Sequence, residues 1–288
     1  MNAVPEPVLV SQRGSVRILT LNAPERRNAL SGPLREALHD HLAAAMADGS
    51  VRAVLITGAG GTFCAGGDIA AMEPGAAMAG RARVVAGPKP VIAAVEGHAA
   101  GAGLGLAAAC DVVVAARTAT FTSAFGRIGL MPDMGALWTL PWRIGLGATR
   151  RLVFCGESLD GLEAVRIGLA DYACEAGCAL EAALAGATAM AEGPTAAFGM
   201  AKAMLARHPV ALDAFLKSEA DGQGLLFATQ DFAEGLPDNP VHRASAPPGR
   251  PRGRPSRWRT AWRRRSPRGG LARGRTGGRI RAPARGPR

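Results

Sequence analysis

Three short apolar runs, Val51 to Thr57, Pro90 to Val95 and Asp111 to Ala115, are separated by glycine-rich loops and helix-like stretches. Runs of this length without polar alternation read as strands buried on both faces, as in a parallel sheet covered by helices. Upstream, Val8 to Val10 and Val16 to Leu21 read as two strands joined by a turn at Arg13-Gly14. Ser31 is an N-cap candidate with Pro33 just inside the helix, and Leu34, Leu38, Leu42, Ala45 and Met46 then recur at helical spacing until Asp48-Gly49. Strand, loop, helix, strand, loop, helix, strand is the pattern of an α/β layered fold.

From Ala148 to about Leu236 the pattern is almost wholly helical, with candidate helices over 148–155, 160–167, 178–191, 194–206 and 209–234. A run of helices after an α/β core suggests a layer used for subunit contacts. From Pro237 onward the character changes abruptly to Arg, Pro, Gly and Ala, with no apolar periodicity. Such a segment cannot build a core and is expected to be disordered. The chain therefore divides into an α/β core over 1–147, a helical region over 148–236 and a tail over 237–288.

The overall charge of +11 belongs to that tail, which carries sixteen arginines, no lysine and a single acid, Asp238. The body before it is mildly acidic, so any argument for nucleic-acid binding concerns the tail alone. Arg, Pro, Gly and Ala share codons that begin with two G or C bases. A GC-rich frame read out of register yields this composition, and the absence of lysine favours that frameshift origin over a selected basic tail.

The 48% hydrophobic content supports a sizeable core. No run approaches the ~20 apolar residues of a membrane span. The start, Met1 to Val10, lacks the basic and apolar regions of a secretory signal. The five cysteines, Cys64, Cys110, Cys155, Cys174 and Cys178, read as reduced, buried thiols of a cytoplasmic protein. Cys174 and Cys178 have no partnering cluster, so no metal site is expected.

Two glycine-rich segments carry the chemistry. Gly58-Ala59-Gly60-Gly61-Thr62-Phe63-Cys64-Ala65-Gly66-Gly67-Asp68 follows one strand, and Glu96-Gly97-His98-Ala99-Ala100-Gly101-Ala102-Gly103-Leu104-Gly105 follows the next. Both lack the Gly-Lys-Ser/Thr of a phosphate-binding loop and the spacing of a dinucleotide fingerprint. Small residues let a ligand approach the backbone, and two such turns after neighbouring strands can aim two N–H groups at one carbonyl oxygen. Asp68 reads as the cap of a helical turn over 69–72, Asp111 as structural, His98 as packed or hydrogen-bonded, and Lys89 with Glu96 as a solvated strand-edge pair.

These segments, with Arg27-Asn28-Ala29-Leu30 before them and Phe125-Gly126-Arg127-Ile128-Gly129-Leu130-Met131-Pro132-Asp133-Met134-Gly135 after them, resemble the enoyl-CoA hydratase/isomerase (crotonase) family over roughly residues 8 to 235. The resemblance implies a spiral of ββα units with a helical trimerisation layer and a homotrimer or hexamer. It also implies a coenzyme A thioester as substrate, with no separate cofactor, and an oxyanion hole formed by the N–H groups of Gly67 and Ala102. Arg27, Ala65, Asp68, Ile69 and Phe125 match positions that line the acyl-CoA site, Arg27 near the CoA phosphates.

Hydratases of the family carry two glutamates, at positions matched here by Gly105 and Phe125. Asp133 instead matches the catalytic aspartate of dienoyl-CoA isomerases and of the ring-opening isomerases of phenylacetate breakdown, whose pattern around it is the closest. One carboxylate can take a proton from one carbon and return it to another, whereas hydration ordinarily needs two groups. The expectation is double-bond isomerisation with Asp133 as proton carrier, its pKa raised by burial. Enoyl-CoA hydration is the alternative, and Asp133 as a mere cap of the helix near Gly135 is the bland one. Nucleic-acid binding through the tail and a non-catalytic CoA-binding relative are further alternatives. Two departures stand out: the stretch from Met72 to Pro88 that would roof the acyl pocket is short, and the last helix breaks off at Leu236-Pro237.

Overall fold

The computed structural model describes residues 5–68 and 81–207, with two further helical positions, Asp221 and Leu225. The expected helical turn over 69–72, most of the helix over 209–234 and the tail over 237–288 lie outside the described residues.

Strands β1 (Val8–Arg13) and β2 (Val16–Leu21) form an antiparallel hairpin, turned at Gly14. Helix α1 (Gly32–Ala47) returns the chain to β3 (Ala53–Gly58), parallel to β2. The Ser31 side chain accepts from Leu34 N–H, and Pro33 sits in the first turn, as the sequence suggests. After α2 (Arg81–Ala86) come β4 (Val91–Val95), β5 (His98–Ala100), α3 (Ala102–Ala109), β6 (Val112–Ala116) and β7 (Thr120–Thr122). Then follow α4 (Ala136–Phe154), β8 (Ser158–Asp160), α5 (Gly161–Ile167), β9 (Tyr172–Cys174), α6 (Ala179–Ala191) and α7 (Thr195–Leu205).

Two sheets result. The larger has the order β1-β2-β3-β4-β6-β9, parallel from β2 onward, and the smaller has the order β5-β7-β8. The period-two alternation divides the larger sheet cleanly. Val16, Ile18, Ala53, Leu55, Ile92, Ala94 and Val114 pack against Ala179, Ala183, Leu184, Ala187 and Ala191 of α6. Val54, Ile56, Val91, Ala93, Val95 and Val113 face the other way, into the cluster built with α1, α3 and the smaller sheet. Both faces are therefore buried, which is why these runs carry no polar alternation.

Three expectations need correction. Residues 97–105 are not a plain loop, because His98–Ala100 forms β5 between β7 and the Cys64 segment. The region after 148 is not wholly helical, since β8 and β9 complete the two sheets. The expected helix over 148–155 is the second half of α4, which starts at Ala136 and bends at Gly145 (φ 73°, ψ 161°).

Lys89 and Glu96 are also not a solvated pair. The Lys89 ammonium is buried and donates to Ala45 O and Asp48 O at the end of α1 (2.8 and 2.5 Å), while the Glu96 carboxylate accepts from Ala179 N–H at the start of α6 (2.8 Å). Each charge satisfies a helix terminus that packing brings beside it. Asp111 is structural, as expected: it accepts from Val91 N–H (2.7 Å) and pairs with Lys202 of α7 (2.6 Å). The cysteines are all free, but only Cys64 and Cys110 are fully buried, and Cys155 and Cys178 are exposed.

Candidate active site

The smaller sheet brings the two glycine-rich segments side by side. Cys64 N–H donates to His98 O and Ala100 N–H to Cys64 O (2.8 and 2.9 Å), so the first segment runs parallel to β5. On its other flank, Leu30 N–H donates to Gly66 O (2.7 Å) and Asp68 N–H to Leu30 O (3.5 Å). In a parallel bridge centred on Gly67 its two neighbours make the bonds, so the N–H of Gly67 itself points away from Leu30. The turn is fixed from within by Gly66 N–H, which donates to Cys64 Sγ (3.4 Å). Gly66 has φ +109°, and a Cβ there would stand 3.0 Å from Ala100 O and 3.6 Å from Ala102 N.

Ala102 opens α3. Gly105 N–H makes the first bond within the helix, to Gly101 O (3.1 Å), so Ala102 N–H has no intrahelical partner. Gly101 before it has φ 51° and ψ −120°, a conformation essentially closed to other residues. Its N–H is held by Thr122 O (2.9 Å). Phe125 is buried, and its Cζ lies 3.9 Å from a Cβ built on Gly101. The ring therefore forms a wall beside the two turns.

Asp133 sits on the segment leading into α4. Its backbone oxygen accepts from Ala136 N–H (2.9 Å) and lies 3.4 Å from a Cβ built on Gly105, one turn along α3 from Ala102. Its Oδ1 is buried. Gly135, not Asp133, is the N-cap of α4, and no side chain caps that helix. The Gly66-Gly67 turn, the start of α3 at Ala102, the Phe125 ring and the Asp133 backbone are thus neighbours. Among the described residues no group of three or more His, Cys, Asp or Glu could hold a metal ion.

The remaining expected residues fall nearby. Arg27 is exposed with φ 53°, and its carbonyl accepts from Ala65 N–H (2.9 Å), tying the first motif to the first glycine turn. Asp68 pairs with Arg26 (2.7 Å), and Ile69 lies outside the described residues. His98 is exposed, on the opposite face of β5 from the buried Ala99, so it is not packed as expected.

Sequence reasoning missed the work of Asn28. It is fully buried with φ 57°; its Nδ2 donates to Ala59 O and Thr62 O (2.9 and 2.6 Å), and its Oδ1 accepts from Ala23 N–H (2.9 Å). An asparagine after a basic residue, upstream of a glycine-rich loop, was the available signal.

A mostly parallel sheet, a small second sheet and two glycine-rich turns beside a buried aromatic ring define the class: an α/β protein with a crossover-linked core. Residues 11–238 match the family described as enoyl-CoA hydratase/isomerase, and the chain belongs to that family. It is similar to a probable enoyl-CoA hydratase of Rhodobacter capsulatus, at 39% identity over 76% of this chain and 89% of that protein. It is similar also to the 1,2-epoxyphenylacetyl-CoA isomerase of Escherichia coli, at 34% identity over 80% of this chain and 94% of that one. Among solved structures, an enoyl-CoA hydratase from Polaromonas sp. JS666 superposes with a TM-score of 0.75 at 33% identity, covering 79% of this chain and 94% of that one. The chain is an acyl-CoA enzyme with the crotonase fold.

Proposed function

We propose that the enzyme moves a double bond along an enoyl-CoA, with Asp133 as its proton carrier. One observation carries this reading: the Asp133 backbone oxygen lies 3.4 Å from a Cβ built on Gly105, one turn along α3 from Ala102, and its Oδ1 is buried. In the forward step the Asp133 carboxylate takes a proton from the carbon between the thioester and the double bond. Electron density moves onto the thioester oxygen, where the N–H groups of Gly67 and Ala102 stabilise the dienolate, each donor worth about 3 kcal/mol of barrier. The same carboxyl then returns the proton to the far carbon, and the conjugated enoyl-CoA leaves with no net change in atoms or electrons. CoA is part of the substrate, and the exposed Arg27, tied to the first glycine turn through Ala65 N–H, is the candidate for its phosphates.

Hydration of a conjugated enoyl-CoA is the second reading, favoured by relatives named as hydratases. The deciding experiment uses Asp133→Asn, nearly isosteric, with a β,γ-unsaturated acyl-CoA and crotonyl-CoA assayed in parallel. The isomerisation reading expects bond migration to exceed hydration in the parent and to fall about 10²-fold or more in the variant, with CoA binding kept. Hydration that dominates and survives the substitution overturns it.

We infer further that the chain assembles as a homotrimer or a pair of trimers. Support lies on α4, further upstream than the sequence suggested: Leu137, Trp138, Trp142 and Leu146 are exposed, Trp142 at 53% and Leu146 at 59%. Apolar side chains of that size, exposed along one helix, cost free energy until a neighbour covers them. Light scattering on the full chain tests this, and a monomer at micromolar concentration refutes it.

A further inference from the structure

Gly105 and Met134 meet in a way that neither residue explains alone. A Cβ built on Gly105 stands 2.8 Å from Met134 Cβ, 3.4 Å from Asp133 O and 3.6 Å from Ala136 Cβ. The first distance is closer than real Cβ atoms come, and the obstacle is the root of the methionine side chain, which cannot swing aside. Met134 is itself unusual: it has φ 51°, the left-handed region, without being glycine. An L-residue there costs about 1–2 kcal/mol unless its surroundings hold it. What holds it is burial: Met134 is 7% exposed and belongs to the main core cluster with Leu104, Leu106 and Leu140. Strain of this kind, held by packing, clusters at functional sites.

We propose that Gly105 and Met134 are positioning residues for Asp133. Met134 Cβ rests on the bare face of α3 at Gly105, and that contact fixes how far the 133–134 backbone stands from α3. The reach of the Asp133 carboxyl toward the turn that begins at Ala102 follows from that spacing. Gly105 is glycine because no side chain fits between α3 and this segment, a carboxylate included. The proposal rests on the reading that Asp133 carries the proton.

With alanine at 105, ordinary contact near 3.4 Å requires the 133–134 segment to retreat by roughly half an ångström. Displacement on that scale at a reacting group lowers turnover by about tenfold or more. The test is a double-mutant cycle on the full chain, read as kcat and KM for a β,γ-unsaturated acyl-CoA, with far-UV circular dichroism to check folding. Gly105→Ala is expected to lower kcat at least about tenfold and to leave KM within about twofold. Adding Gly105→Ala to a Met134→Gly background is expected to change kcat less than about twofold, because the opposing Cβ is gone. Adding it to Met134→Ala is expected to keep the full loss, because alanine retains that atom.

Independent, additive effects of the Gly105 and Met134→Gly substitutions overturn the proposal. Should Gly105→Ala not fold, Met134→Gly alone decides: its kcat must fall while KM holds, and an unchanged kcat overturns the proposal. Asp133→Asn in the same assay separates the two claims. If that variant is as active as the parent, the proton-carrier reading fails. If it is inactive while Gly105→Ala is fully active, only the positioning role fails.

Discussion

Gly101→Ala isolates backbone conformation from packing. A Cβ at this position meets Gly66 Cα at 3.7 Å and Phe125 Cζ at 3.9 Å, both ordinary contacts, so the new methyl group fits. The cost lies in the dihedrals: φ 51° with ψ −120° is strained for alanine by about 1–3 kcal/mol. The peptide that follows carries Ala102 N–H, and it is anchored by the bond from Gly105 N–H to Gly101 O, worth about 0.5–1.5 kcal/mol net. The strain is the larger of the two, so the peptide is expected to rotate and take Ala102 N–H away from the acyl oxygen. Loss of one such donor lowers the rate by about 10²–10³-fold, and partial rotation sets a floor near tenfold. The assay is kcat and KM for a β,γ-unsaturated acyl-CoA, with a thermal melt alongside. KM should stay within about twofold, since the donor matters most to the charged intermediate. A melt lowered by a few degrees with kcat unchanged would show that the site does not use this N–H.

Other consequences are tested more simply. Gly67→Pro removes the second donor and should lower the chemical step at least about 10²-fold in the same assay, with circular dichroism preserved. Lys202→Met leaves Asp111 and the Lys89 carbonyl without their buried ammonium; because the Asp111 side chain keeps 30% exposure, water replaces part of the pair, and denaturant unfolding should show a loss of about 1–3 kcal/mol. Burial pushes the Cys64 and Cys110 thiols up to about 12, so an aromatic disulfide reagent at neutral pH should label Cys155 and Cys178 quickly in the native protein, and Cys64 and Cys110 only after denaturation.

The strands of the larger sheet other than β9 were legible because each is a local message. Val51 to Thr57 and Pro90 to Val95 contain little that water would accept, and a helix long enough to hide them follows or precedes each in the chain. The strands β5, β7, β8 and β9, three residues each, were not legible. His98–Ala100 is a strand because Cys64 and Thr120–Thr122 lie on either side of it, and nothing within the three residues says so. Lys89 and Glu96 were misread for the same reason. Charges on a short connection look solvated until packing places the end of α1 and the start of α6 against them.

The candidate site divides along the same line. Backbone donors leave no side-chain signature of their own, so what shows in the sequence is the space they require, Gly66-Gly67 and Gly101-Ala102-Gly103. Each glycine can be read as permission for a close approach, but not as a statement of what approaches. At Gly103 it is Cys64, whose carbonyl oxygen leaves no room for a Cβ; at Gly105 it is Met134, nearly thirty residues on. Asp133 could be singled out because it is the one acid in its stretch, yet the role proposed for it rests on a methionine held in a glycine-like conformation beside it. That dependence belongs to a pair of residues, each ordinary in its own segment, and it exists only once α3 and the start of α4 are packed together.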